Sequence, residues 1–483
     1  MKRIDIFLIF AAISYKLIDM RRFFIILLIA LVPAMSFGQE YEPLLKEGKT
    51  WKYTHSQPFS EDYYNFSLVV RGDTTINDLT YKKIYDVSTD AYQYALREEG
   101  KKVYYIFWTK DTPQLIYDFG KEAGEIVSEV EDKDGKTVLR VLAVDAIKYG
   151  DRLLHRMEVV EEYLENDQVI GSGNGIWIEG LGSSCGLVSP VQLPGNNDTF
   201  YSCQIGDDML GENELFFGAK SLDGKKVACD GLRYYLFQDT DKAAIDEGNT
   251  WSGELELPSE ISYTSVFNFK GEEVYHVNGI SHKAFQDCKE LTKVRIPKEI
   301  ENIITYVLSV DEMVGSVPDD MNPFKGCTAL ESIEVDEDNP ALKSVDGILF
   351  NKDGSKLYAY PAGKKADSYV VPEDVTWVGM NAFNGCTLDA LVIRGILDSS
   401  CMSQSLFRGL NESAKLYVQS SEMDRYKDIF PGTILPLEDY QSGIQAPTSL
   451  KDQSHPIYNL NGQRIDQPKM GIYIQNSKKV VVR

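Results

Sequence analysis

From Trp51 to about Phe217, apolar and polar residues alternate in short runs: Thr50-Trp51-Lys52-Tyr53-Thr54, Phe66-Ser67-Leu68-Val69-Val70, Tyr81 to Val87, and Val103-Tyr104-Tyr105-Ile106-Phe107-Trp108. A period of two sends successive side chains to opposite faces, which suits half-buried β-strands. Gly72-Asp73, Asn77-Asp78, Glu99-Gly100, Asp134-Gly135 and Gly150-Asp151 separate the runs at hairpin-like intervals. The pattern predicts an antiparallel β-sandwich or barrel. The Tyr and Phe residues within the runs fill half-buried sheet faces, and no ligand is needed to explain them.

Beyond Trp251 the pattern becomes a repeat. Its unit is Ala-Phe or Pro-Phe, two residues, Cys, two residues, an apolar residue and a short strand. The copies are Ala284-Phe285-Gln286-Asp287-Cys288-Lys289-Glu290-Leu291 with Val294-Arg295-Ile296-Pro297; Pro323-Phe324-Lys325-Gly326-Cys327-Thr328-Ala329-Leu330 with Ile333-Glu334-Val335; and Ala382-Phe383-Asn384-Gly385-Cys386 with Leu391-Val392-Ile393. Leu406-Phe407-Arg408-Gly409 with Lys415-Leu416-Tyr417-Val418 is a degenerate last copy without the Cys. Successive phenylalanines lie 39, 59 and 24 residues apart, so the two longer gaps are expected to hold extra or irregular turns. One such turn cannot cover its own apolar face, so stacked neighbours must. The expected core is Phe285, Cys288, Leu291, Phe324, Cys327, Leu330, Phe383, Cys386 and Phe407.

These residues resemble the BspA-like leucine-rich-repeat surface proteins of Bacteroidetes, over roughly Trp251 to Leu437. The resemblance extends to Val345-Asp346-Gly347-Ile348-Leu349-Phe350-Asn351-Lys352-Asp353-Gly354, to Tyr360-Pro361-Ala362-Gly363, and to Leu416-Tyr417-Val418 with Tyr426-Lys427. Ile304 to Met321 lacks the pattern. The resemblance implies a short leucine-rich-repeat solenoid and adhesion at a cell surface. The stretch Gly175 to Leu187 looks like one recurring in N-terminal domains of secreted proteins of the same bacteria, which implies a location and no role.

At the N-terminus, Arg21 and Arg22 precede an apolar run from Phe23 to Met35 broken only by Pro33, and Ser36-Phe37-Gly38 follows. That order is a secretory signal peptide, shorter than the roughly 20 apolar residues of a membrane span. Met20 is the expected start. At the other end, Pro456 to Arg464, Lys469 to Ile474 and Lys478 to Arg483 read as short strands with Asn461-Gly462 at a turn. This tail is similar to type IX secretion sorting domains, which implies handling by secretion machinery. The expected organisation is a signal region (1–38), a β-rich N-terminal domain (39–248), a repeat domain (249–438), a linker (439–452) and a sorting-like tail (453–483).

The net charge is −23, and without residues 1–38 it is −26, from 45 basic and 71 acidic residues. Such a field repels phosphate backbones and anionic lipid heads, so nucleic acid is not an expected partner. Because no stretch beyond the signal region is long and apolar enough for a membrane-spanning helix, an integral membrane location is not expected. Of seven cysteines, Cys288, Cys327 and Cys386 share one repeat position and read as small buried hydrophobes. Cys185, Cys203, Cys229 and Cys401 remain for bridges in an exported protein; Cys185 with Cys203 is the first pair to test, and spacing leaves the pairing open.

Gly182-Ser183-Ser184-Cys185-Gly186 matches the Gly-x-Ser-x-Gly elbow in letters, but it lies between strands in a Gly-rich bend where that motif needs a strand, a turn and a helix. His276, His282 and Cys288 lack zinc-ligand spacing. Glu131 to Gly135 and Asp336 to Asn339 lack the full ligand set of a calcium loop. Gly171-Ser172-Gly173-Asn174-Gly175 opens no helix and is not a phosphate loop. The sequence therefore reads as a non-enzymatic binding protein without cofactor or metal, secreted or on the outer cell surface, whose partner is a host or bacterial surface protein or glycan. On the strand face, Arg295, Glu334, Arg394 and Tyr417 are the candidate contacts. The alternative is a glycan-capture component binding through the N-terminal β-domain; a hydrolase using Ser184 comes last.

Overall fold

The structure is a computed structural model. It describes residues 41–440, apart from 57–62, 107–111, 133–134, 193–197, 218, 223, 266–270, 305–321 and 411–412, together with the backbone of four short strands between 457 and 482. The signal region and most of the proposed linker lie outside the described residues.

The fold is mainly β. A first, antiparallel sheet of eight strands contains β1 (Lys49–Ser56), β2 (Tyr63–Ile76), β3 (Leu79–Asp86), β4 (Tyr92–Glu99), β5 (Lys102–Ile106) and β6 (Gln114–Asp118) in sequence order. After β7 (Ile126–Asp132), β8 (Gly135–Tyr149), β9 (Arg152–Glu165), β10 (Gln168–Ile178) and β11 (Gly182–Ser183), the chain returns to that sheet. There β12 (Asp198–Ile205) and β13 (Asp208–Glu212) pair beside β1. Asn77-Asp78 turns β2 into β3 with both φ angles positive, as a two-residue primed turn requires. Between this sheet and the β8–β9–β10 hairpins lies an apolar core containing Trp51, Tyr53, Tyr117, Trp177 and Phe200.

The second sheet has eleven strands and does not stop at the end of the first half. From β8 it continues through β14 (Gly224–Cys229), β15 (Leu232–Phe237) and β16 (Lys242–Ile245). It then takes up β19 (Glu273–Ser281) in parallel with β16, and β18 (Glu260–Tyr263) antiparallel to β19. The strand β17 (Ser252–Glu256) lies in a different sheet, parallel to β20 (Glu290–Ile296), which is parallel in turn to β22 (Ser332–Val335). The short strand β21 (Asn302–Ile304) pairs with β19.

Next comes a four-stranded sheet of β23 (Leu342–Val345), β24 (Ile348–Asn351), β25 (Lys356–Ala359) and β27 (Trp377–Val378). Asp346 and Gly347, both at positive φ, form the turn between β23 and β24. A second parallel sheet follows, of β26 (Ser368–Val371), β28 (Ala390–Ile393), β29 (Lys415–Val418) and β30 (Thr433–Pro436). The backbone at the C-terminus forms the four-stranded sheet β31 (Ile457–Tyr458), β32 (Arg464–Ile465), β33 (Gly471–Gln475) and β34 (Lys478–Val482).

The repeat residues line the inside of the parallel stacks. Phe285, Cys288, Leu291, Phe324, Cys327, Leu330, Phe383, Cys386 and Phe407 are all buried, and the Phe285 and Phe324 rings stack with centroids 5.7 Å apart. Their turns are joined through the backbone: Asp287 N donates to Lys325 O (2.8 Å), and Gly385 N to Gly409 O (3.0 Å). Across the longest phenylalanine gap, the chain at Tyr360 to Gly363 supplies an intermediate rung. Tyr360 N donates to Ala382 O (2.9 Å) on one side and Gly363 N to Leu330 O (2.7 Å) on the other.

Candidate functional site

On the first parallel stack, Leu255, Val294 and Ile333 are in register and face the core. The alternation then turns Glu254, Glu256, Lys293, Arg295 and Glu334 outward. Glu334 accepts from Lys293 Nζ (2.6 Å) and Arg295 Nε (3.2 Å). Arg295 is 54% and Glu334 45% exposed, so the pair is solvated and exchanges partners at little cost. Two of the four candidate contacts thus form one charged row.

The other two lie on the second parallel stack, where Leu391 and Leu416 face the core. The outward row here is apolar: Val370, Val392, Tyr417 and Leu435 occupy one register line. The chain covers part of it. Tyr440 packs its ring 5.0 Å from that of Tyr417, and its hydroxyl lies 3.0 Å from Ser368 Oγ. Arg394 follows β28, and its carbonyl accepts from Gln419 Nε2 (2.7 Å). The structure therefore joins Arg295 to Glu334 directly and places Arg394 and Tyr417 on a separate sheet of different chemistry.

The repeat cysteines carry no chemistry that exposure would permit. Cys327 donates to Phe285 O (3.0 Å) and Cys386 Sγ lies 3.9 Å from Tyr360 O. Burial pushes both thiols up to about 12, well away from the reactive thiolate. No disulfide joins any of the seven cysteines; Cys185 and Cys203 are both buried, with burial raising both thiols.

The constellations weighed for catalysis and metal binding have local structural partners. Ser184 is 3% exposed and its hydroxyl accepts from Ile176 N (3.2 Å). The bend that carries it folds back tightly: Trp177 Nε1 and Ser183 Oγ both donate to Pro190 O, at 2.7 and 3.2 Å. A side chain at Gly175 would place its Cβ 2.2 Å from that same carbonyl oxygen, so only glycine fits. His276 faces Glu260 (3.1 Å), and Cys288 accepts from Trp251 N (2.9 Å). In the stretch Asp336 to Asn339, Asn339 is wholly buried as a bracket: it donates to Pro297 O and Ile300 O and accepts from Ala341 N and Leu342 N. Among the described residues no group of three or more His, Cys, Asp or Glu is arranged to hold a metal ion. No described helix is long and apolar enough to cross a membrane.

Sequence reasoning missed a charged network on the outer face of β9. Arg156 forms a two-pronged ion pair with Asp145, Nε to Oδ1 at 2.9 Å and Nη2 to Oδ2 at 2.6 Å. Its Nη1 donates to Leu215 O (3.1 Å) and Ala219 O (3.0 Å) around the one-turn helix Glu214–Phe217. Glu158, 5% exposed, accepts from Lys225 Nζ on β14, from Tyr263 OH on β18 (2.9 Å) and from Ser265 Oγ (2.9 Å). Burial, and then the Glu158 carboxylate, raise the Tyr263 hydroxyl far above its ordinary range, so it remains a donor. In the sequence, only the alternation Arg156-Met157-Glu158-Val159 hinted at this, because charges at every second position of a strand buried on its other face need partners. This network floors a cleft of about 1000 Å³.

The family described as "BspA type Leucine rich repeat region (6 copies)" matches residues 256–315. Two solved structures are similar to the chain. One is the pneumococcal vaccine antigen PcpA: identity is 14%, the match covers 44% of this chain and 99% of that one, and the TM-score is 0.14. The other, a leucine-rich repeat protein from Eubacterium ventriosum ATCC 27560, has 12% identity, covers 52% of this chain and 98% of that one, and has a TM-score of 0.17. No curated protein matches the chain. Residues 256–315 thus resemble BspA-type leucine-rich repeats, a repeat type that points in general to protein recognition at a surface.

Proposed function

We propose that this is a secreted or cell-surface binding protein that recognises a host or bacterial surface protein through the outward strand face of its repeat region. The observation that carries this reading is the charged row of Glu254, Glu256, Lys293, Arg295 and Glu334. It lies on strands within and beside the matched residues, and Arg295 and Glu334 form a solvent-exposed pair. Exposed ion pairs contribute little to folding, so their groups can re-pair with a partner and lend specificity and association rate. A stack of short parallel strands also presents these groups at fixed spacing on a rigid support. Arg394 and Tyr417, at the separate second stack, are candidates for a second, less polar contact. In this reading residues 1–38 export the chain, residues 39–248 and 249–438 are its two main parts, which share the eleven-stranded sheet, and the tail at 453–483 engages secretion machinery. The repeats then act by binding, with no catalytic step.

The test uses the full chain. Binding to an array of extracellular-matrix and bacterial surface proteins is compared with that of the double variant Lys293→Glu, Arg295→Glu. A bound protein whose association rate falls at least about tenfold in the variant supports the reading, because charge reversal acts chiefly on encounter. Unchanged binding, with the fold intact by circular dichroism, would remove this face from recognition.

A further inference from the structure

We propose that the cleft above Glu158 is a binding site for a neutral oligosaccharide. From β14 through β15, β16 and β19 to β18, the second sheet curls until β18 lies beside β14. Among the described residues no backbone ladder closes that seam. Side chains do: Glu158 joins Lys225 of β14 to Tyr263 of β18 and to Ser265. The cleft opens at this end of the curl, and the mouths of curled or barrel-like sheets are favoured ligand sites. Its volume, about 1000 Å³, is at the upper end of such sites and suits a ligand of several rings.

The lining selects the ligand class. Phe217 and Val274, 49% and 50% exposed, stand in the cleft with Phe237 and Tyr275. Phe217 is carried by the one-turn helix whose carbonyls Arg156 holds, so the backbone beneath this exposed ring is anchored before any ligand arrives. The lining also includes Gln238 and Thr240 from the turn between β15 and β16, and Ser221, whose hydroxyl is held by Asp145. A lining that mixes aromatic rings with short amide and hydroxyl groups matches a sugar ring, which has C–H faces and a hydroxyl rim.

Two alternatives fit less well. Glu158, Asp239, Asp241 and Glu273 outnumber Lys220, Lys225 and Arg156 on the lining, and Arg156 is already paired with Asp145. An anionic ligand would therefore meet repulsion, in a chain whose net charge is −23. A peptide adding as a strand needs an open backbone edge, but the edge between β14 and β18 is plugged by the Glu158 network. The site is separate from the charged row on the repeats and is built from both sides of position 248, with Phe217 and Phe237 before it and Tyr263, Val274 and Tyr275 after it.

The full chain is screened against cello-, malto-, manno- and xylo-hexaose, with heparin and polygalacturonate fragments as anionic probes, and each hit is titrated calorimetrically. The expected result is binding of at least one neutral hexaose, weakened about tenfold by Phe217→Ala and by Tyr275→Ala, the loss of one aromatic contact. Arg295→Glu should leave that binding unchanged, which separates this site from the repeat face. Lack of binding by every neutral probe at about 10 mM, preference for the anionic probes, or an affinity in both aromatic variants equal to that of the native chain would overturn the proposal. Phe217 is half exposed, so its alanine variant keeps the fold, and circular dichroism checks it.

Discussion

Removing Asp145 and Arg156 one at a time should cost, summed, far more than removing both at once. Both side chains are buried, 2% and 10% exposed, and the guanidinium meets the carboxylate through two nearly parallel hydrogen bonds. Removing one member of a buried pair typically costs about 3–5 kcal/mol, because an uncompensated charge stays behind. Asp145→Ala leaves Arg156 its contacts to the carbonyls of Leu215, Phe216 and Ala219, which places it near the lower end, about 3 kcal/mol. Arg156→Met strands Asp145 with the Ser221 hydroxyl and frees those carbonyls, which places it near the upper end, about 5 kcal/mol. The double variant buries no lone charge and should lose no more than about 4 kcal/mol, leaving a coupling of about 4 kcal/mol. Urea unfolding of the full chain, followed by tryptophan fluorescence, reads this out, since Trp51 and Trp177 lie in the core against which β8 and β9 pack. Single variants that each cost under about 1 kcal/mol, or costs that simply add, would show that the pair does not secure the cleft floor.

Phe324→Ala should destabilise the repeat region by about 3–5 kcal/mol, since the ring is 3% exposed and stacked on Phe285; a smaller loss in thermal unfolding would mean the stack collapses into the gap. Asp246 is 2% exposed and Oδ1 has no hydrogen-bond partner, and burial raises its carboxyl above the usual range. A raised carboxyl binds its proton more readily folded than unfolded, so stability falls as pH rises through the interval from its ordinary value of 3.8 to the raised one. Asp246→Asn should therefore be more stable than the native chain at pH 7, and that advantage should vanish towards pH 3; a disadvantage at pH 7 would show that the pairing with Lys226 outweighs burial. In alkylation of the native protein at pH 8, partly exposed Cys229 should be labelled first, and Cys288, Cys327 and Cys386 only on unfolding; mass spectrometry of peptides gives the order.

The sequence by itself determined whatever depends on local periodicity. Two-residue alternation announced the strands of the first half, and Asn77-Asp78 announced a hairpin whose geometry needs residues tolerant of positive φ. The repeated Phe and Cys positions marked side chains with no stable place but the inside of a stack, because an apolar residue recurring at one point of a turn must meet its counterpart in the next. Arg295 and Glu334 were legible as neighbours through equivalent places in successive copies. Tertiary structure decided what depends on distant segments meeting. That β16 takes β19 as a parallel neighbour, carrying one sheet from the first half into the second, has no local signal, since parallel pairing specifies no turn. The covering of Tyr417 by Tyr440 likewise depends on where the chain leaves the stack. The Glu158 network brings together residues 158, 225, 263 and 265, and no spacing in the sequence encodes that meeting. Burial of a carboxylate on β9 required partners, and only the curl of the sheet determined which ones.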